Sequence, residues 1–117
     1  MTTITDPSLA TLGAERWEPF HVDGRRMGSM HWLRVPDADG RGPVAAIWRV
    51  LPGEAPDEIP YEFAGDELWH VLEGAIEVVF DDGRHHVLRA GDVAAFPRGP
   101  RATFRPHVPF KKLYMVA

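Results

Sequence analysis

Glycine and proline recur so densely along this chain, eleven of each in 117 residues, that no stretch is left long enough for an extended amphipathic helix. Between these breaks lie short segments rich in β-branched and aromatic residues. Segments 17–22, 28–34, 44–51, 67–72, 75–80, 85–88, 93–96, 101–105 and 110–116 read as strands. That pattern predicts an all-β sandwich or barrel. Asp82-Gly83 supplies the positive φ of a tight hairpin, and Ala90-Gly91-Asp92 divides two strands. Residues 36–43, PDADGRGP, form a loop without an apolar anchor, and residues 1–14 are expected to lie loosely or reach onto a neighbour.

The bulk numbers exclude whole classes of function. A chain of 117 residues is one domain, large enough for a real core. With 44% hydrophobic and 26% charged residues it has the composition of an ordinary globular protein, and no apolar run approaches the roughly 20 residues that cross a bilayer. The N-terminus has no basic start and no apolar run, so no secretory signal is read there and a cytoplasmic location is expected. A formal charge of −4 gives no electrostatic reason to bind nucleic acid; Arg25-Arg26 and Lys111-Lys112 are too small a basic surface to change that. The absence of cysteine removes disulfides, thiolate metal sites and thiol nucleophiles. Chemistry is left to carboxylate, imidazole, hydroxyl and phenol groups.

Two stretches, YEFAGDELWHVLEG at 61–74 and GDVAAFPRG at 91–99, together resemble the two motifs of the cupin superfamily. The first cupin motif runs H-x-H, three or four residues, glutamate, six residues, glycine. Glu67 and Gly74 keep that spacing, whereas Tyr61 and Phe63 stand where the two histidines would be. The second runs G-D-x4-P-x-G-x2-H; Gly91, Asp92, Pro97 and Gly99 match, and Ala102 takes the histidine position. One usual metal ligand of four therefore remains, and no cofactor or metal is expected. Further stretches, IWRVLPG at 47–53, ATFRP at 102–106 and FKKLYMV at 110–116, are similar to a subgroup of short cupins that includes the ethanolamine-utilisation and ureidoglycine-aminohydrolase types. The resemblance implies a jelly-roll β-barrel, or double-stranded β-helix, over residues 15–117, and a homodimer formed by strand exchange or sheet packing. It names no substrate, and function has to be argued from the site.

Strand alternation sends every second side chain to one face. If Glu67 points inward, Trp69 and Val71 point in with it; Tyr61 and Phe63 share a face if their segment is extended. An aromatic pocket with one carboxylate results. Loss of hydration raises a carboxyl's pKa unless a cation or several hydrogen bonds hold it ionised, and such groups serve as general acids or bases. The plainer reading of Glu67 is a structural group bonded by Tyr61 or a basic residue. Trp48 and Phe104 are large apolar groups on predicted strands, either core filling or walls of the pocket. Lys112 shares a face with Tyr114. Solvent exposure is the ordinary expectation for it, because burying an unpartnered lysine is costly; a salt bridge with a pocket carboxylate is the sharper alternative.

The six histidines are read mostly as structural. His85 and His86 must face opposite ways and are expected at the surface, His70 points away from Glu67, and His21, His31 and His107 lie outside both motifs. A metal site joining Glu67 to His31 or His107 is the least favoured alternative. The expected function is binding of a small polar metabolite, with metal-independent isomerisation, elimination, cyclisation or hydrolysis through Glu67 as general acid or base and Tyr61 as hydrogen-bond donor or proton shuttle. Trp48, Phe63, Trp69, Phe104, Lys112 and Tyr114 are the expected binding residues. A binding or sensing module that leaves its ligand unchanged is the competing reading.

Overall fold

The computed structural model describes residues 16–36 and 38–117. The expected arm at 1–14 therefore lies outside the described residues. Eight strands run in the order β1 (Glu18–Val22), β2 (Arg25–Arg34), β3 (Val44–Val50), β4 (Ile59–Glu62), β5 (Glu67–Phe80), β6 (His85–Arg89), β7 (Val93–Phe96) and β8 (Arg101–Val116). All pairings are antiparallel.

β5 and β8 organise the molecule because each runs through two layers. One layer is built on residues 67–73 of β5 and 111–116 of β8, flanked by β7 on one side and β3, β2 and β1 on the other. The second layer is built on residues 75–80 of β5 and 102–107 of β8, flanked by β6 and β4. This is the jelly-roll arrangement predicted from the sequence. The hydrogen-bonded path is open, with β1 and β6 at its ends, rather than the closed barrel expected. Buried side chains pack between the layers.

The predicted breaks at 73–74 and 106–109 are bends within continuous strands, not gaps between strands. In β5 the inward positions are Glu67, Trp69 and Val71 before the bend, and Ile76, Val78 and Phe80 after it. The parity changes because the register shifts at Glu73 and again before Ala75, the signature of a bulge. Gly74 has φ 73°, and a Cβ there would lie 2.3 Å from the Pro109 carbonyl oxygen. Only glycine lets the two bends approach so closely. In β8 the even-numbered residues Ala102, Phe104, Phe110 and Lys112 stay buried along its length. β4, which the sequence pattern did not mark, pairs with the first part of β8 and brings Tyr61 beside Ala102.

The core is aromatic at one end. Phe63 stacks on Phe96 at 4.9 Å, and Trp69 lies 4.5 Å from Phe96 and 5.2 Å from Phe104. Offset and edge-to-face pairs of this kind add roughly 0.5–1.5 kcal/mol each beyond the area they bury. They fix the wall on which the candidate site is built.

Candidate functional site

A cavity of about 320 Å³ opens between β1 and β4. Phe20, Val22, Met27, Met30 and Ile59 form its apolar sides, and Trp48, Phe104, Tyr61, Lys112 and Tyr114 its inner wall, with Pro60 and Glu62 at the rim. Register explains the convergence. Lys112 on β8 pairs with Trp48 on β3 and with Val71 on β5, while Tyr114 pairs with Ala46 and Trp69, so inward alternation from three strands meets at one level.

Of the site residues inferred from sequence, Trp48, Tyr61, Phe104, Lys112 and Tyr114 stand on this wall. Phe63 and Trp69 are completely buried behind it. Glu67, 3% exposed, also lies behind the wall. Tyr61 Oη donates a short hydrogen bond to Glu67 Oε2, and Trp69 Nε1 donates to Oε1 at 3.0 Å. The carboxylate thus reaches the cavity only through the tyrosine. Burial, followed by the hydrogen bond and charge of Glu67, pushes the Tyr61 phenol well above its usual value. Burial does the same to Tyr114, with the charge of Glu67 adding to it. Both phenols keep their protons near neutral pH.

Lys112 is 4% exposed, which overturns its ordinary expectation as a surface residue. Its Nζ lies 3.2 Å from the centroid of Trp69 and 5.0–5.2 Å from those of Tyr114, Trp48 and Phe104. The π-faces replace part of the lost hydration of an ammonium. Burial nevertheless pulls its pKa down to about 7, against an opposing upward pull from Glu67. The indole nitrogen of Trp48 is satisfied by the Met27 carbonyl at 2.8 Å, so that ring is a fixed wall. Sequence reading missed Phe20, Val22, Met27, Met30 and Ile59. Ile59 carried no signal beyond hydrophobicity, because the turn-rich segment before Tyr61 hid β4.

The four positions that hold a metal in cupins do not fit one here. Phe63 and Ala102 offer no donor atom, and both oxygens of Glu67 already accept from Tyr61 and Trp69. Nor do the histidines converge on it. The His31 Nδ1 accepts from the Arg16 amide at 3.0 Å, and His107 bonds Glu77 at 2.8 Å. His85 bonds the other oxygen of Glu77 at 3.0 Å. Among the described residues no group of three or more histidines and carboxylates is arranged to hold a metal ion. His70, His85 and His86 are exposed, as their strand positions predict.

Residues 38–114 match the family model of the EutQ-like cupin domain. The chain belongs to this cupin family. A DUF861 family protein from Thermotoga maritima is 30% identical over 61% of this chain and 76% of its own, with a TM-score of 0.54. A putative ethanolamine utilization protein Q from Salmonella typhimurium is 26% identical, covering 75% of this chain and 67% of its own, with a TM-score of 0.58. The iron(II) form of HppE has a TM-score of 0.65 over 92% of this chain and 58% of its own, at 18% identity, a likeness of fold alone. No curated protein matches the sequence. No helix is long and apolar enough to cross a membrane among the described residues.

Proposed function

We propose that this EutQ-like cupin binds a small, largely apolar metabolite bearing one polar oxygen group, and removes a proton from it without a metal. The observation that carries the reading is that Tyr61 lines the cavity while its hydroxyl proton is committed to Glu67. Because that hydroxyl donates inward, it presents lone pairs to a ligand. A proton accepted from the ligand is matched by transfer of the phenolic proton to Glu67 Oε2. Glu67 is then the base and Tyr61 the shuttle, and a buried tyrosinate, disfavoured by desolvation, need not form. Removal of a proton beside a carbonyl group is the first half of an isomerisation, elimination or cyclisation, and the same relay returns the proton in the second half.

The other groups hold the geometry. Trp69 fixes the second oxygen of Glu67, Phe63 packs edge-on against Tyr61 at 5.0 Å, and Phe104 stacks on Tyr61 at 4.6 Å. Trp48 and Tyr114 complete the walls, with Lys112 the basic residue among them. Hydrogen–deuterium exchange at the α-carbon of cyclohexanone in D2O, followed by NMR, tests the relay. Exchange above background that disappears in Glu67→Gln supports it. Exchange unchanged by that substitution overturns it.

A non-catalytic binding module is the second reading, favoured by the full hydrogen bonding of Glu67. In that case Glu67→Gln shifts ligand affinity, and no α-exchange occurs in the parent chain. A homodimer belongs to either reading. Leu68, Val93 and Met115 are exposed on the outer side of β5, β7 and β8, and support the packing of a second copy there. Light scattering is expected to give the mass of two chains, and a monomeric mass refutes that arrangement.

A further inference from the structure

The proton relay leaves the buried amine of Lys112 without a chemical task. We propose that Lys112 Nζ is a nucleophile that condenses with an aldehyde or ketone lodged in the cavity, which makes a carbonyl compound the ligand class. This rests on the reading of the cavity as a small-molecule site and goes one step beyond it.

The geometry selects this chemistry. The amine sits between the rings of Trp69, Tyr114, Trp48 and Phe104, closest to Trp69, and Lys112 is among the residues that line a cavity whose sides are apolar. Glu67, the carboxylate that acts on Lys112 through space, has both oxygens occupied by Tyr61 and Trp69. Glu62, at the rim, faces Arg101 at 3.6 Å. The remaining titratable neighbours, Tyr61 and Tyr114, stay neutral because burial raises both phenols. An amine in these surroundings sheds its proton near pH 7, whereas an ordinary lysine is neutral to only about one part in a thousand at pH 7.5. Desolvation in an apolar pocket is a known way to activate a lysine toward carbonyls.

The step balances without any co-reactant. The Nζ lone pair attacks the carbonyl carbon, a C–N bond forms, and the C=O π pair moves to oxygen, which takes a proton to give a carbinolamine. Loss of that hydroxyl as water, with a proton transferred from nitrogen, leaves the imine. Tyr114 is placed to steady the oxygen, since its described hydrogen bond goes to the weak acceptor Met30 Sδ at 3.9 Å. An imine, once protonated, also acidifies the neighbouring C–H. That proton is the one the Tyr61–Glu67 relay would remove.

The chain contains two lysines, adjacent on β8 with Lys112 turned inward, so each molecule carries its own control. The intact protein is treated with hexanal and cyanoborohydride, which reduces an imine to a stable amine, and the site is mapped by tandem mass spectrometry. The expected result is labelling of Lys112 in about tenfold or greater excess over Lys111 at pH 7.5, rising through a midpoint near 7. Hexan-1-ol, which fills the same space without a carbonyl, should slow it. Tyr114→Phe, which keeps the ring, should slow it several-fold. Equal labelling of both lysines, or labelling of Lys111 alone, overturns the proposal. If hexan-1-ol still raises the melting temperature in that event, the cavity reading survives and only the imine falls; if it does not, both fall.

Discussion

Replacing Lys112 by methionine removes a buried titration and keeps an unbranched side chain in the same space, so the pH dependence of stability isolates the effect of the amine. The pKa is about 7 in the folded chain, against an ordinary 10.5. Folded and unfolded chains therefore bind the same number of protons at this site below about pH 7 and above about 10.5, while between those limits the unfolded chain binds more. Stability must rise with pH across that window, by up to about 1.4 kcal/mol per pH unit and about 5 kcal/mol in all. Tyr61 and Tyr114 act in the opposite sense, since phenols raised by folding cost stability only when pH passes the unfolded value of 10. The clean interval is thus pH 8–9.5, where the parent chain should gain about 2 kcal/mol relative to Lys112→Met. With a urea m-value of about 1–3 kcal/mol/M, the gap between the two unfolding midpoints should change by about 1 M. Parallel pH profiles for the two chains would refute the claim that Lys112 is held in a desolvated site.

Three further perturbations probe the surrounding structure. Glu67→Gln removes the charge that supports the ammonium, so the hexanal-labelling midpoint of Lys112 should fall further below 7; an unchanged midpoint would deny the electrostatic link between the two groups. Tyr61→Phe takes one of two hydrogen-bond donors from a buried carboxylate and should cost about 1–3 kcal/mol in urea unfolding, with α-exchange lost. Gly74→Ala places a methyl group 2.3 Å from the Pro109 carbonyl oxygen at a φ of 73°, so it should destabilise the chain by about 2 kcal/mol or more, and stability within about 0.5 kcal/mol of the parent would show that the two bends can separate.

Local sequence rules reached most of the fold and only part of the site. Periodicity and turn residues located β1, β3, β6 and β7 because those strands are short and bounded by strong breakers, and found the longer β2 only from Gly28 onward, inside its start at Arg25. They divided β5 at Gly74 and β8 near Pro109, since a glycine or proline reads as a break even where it serves as a bend within one strand. β4 went unmarked because IPYE has one buried residue in four and follows a turn-rich segment. For the site, alternation correctly turned Glu67 and Trp69 inward, and set Lys112 on the Tyr114 face. Depth was not legible. Whether Glu67 meets a ligand or stands behind Tyr61 depends on how far β4 leans over β8, a tertiary quantity with no local signal. The exposure expected of Lys112 failed for a similar reason. Four rings from four strand segments supply the compensation that the cost of burial demands, and no window of sequence contains them.

The substitutions at the metal positions and the burial of Lys112 can be understood as one electrostatic arrangement. A cupin that holds a cation beside its glutamate has a positive charge to balance the carboxylate. With phenol, phenyl and methyl groups at Tyr61, Phe63 and Ala102, that balance has to come from elsewhere in the interior. Ser29, His31, Glu67 and Lys112 are the buried polar or charged residues among those described. His31 accepts from the Arg16 amide at Nδ1 and packs on Trp17, while the pKa of Lys112, lowered by burial, is partly held up by Glu67. Lysine differs from a metal ion in one decisive respect, because its charge disappears when a proton leaves. The interior can therefore change by one unit of charge near neutral pH without losing a ligand. The proposed carbonyl condensation needs an amine near that balance point, and neither it nor the proposed Tyr61–Glu67 relay needs a redox centre.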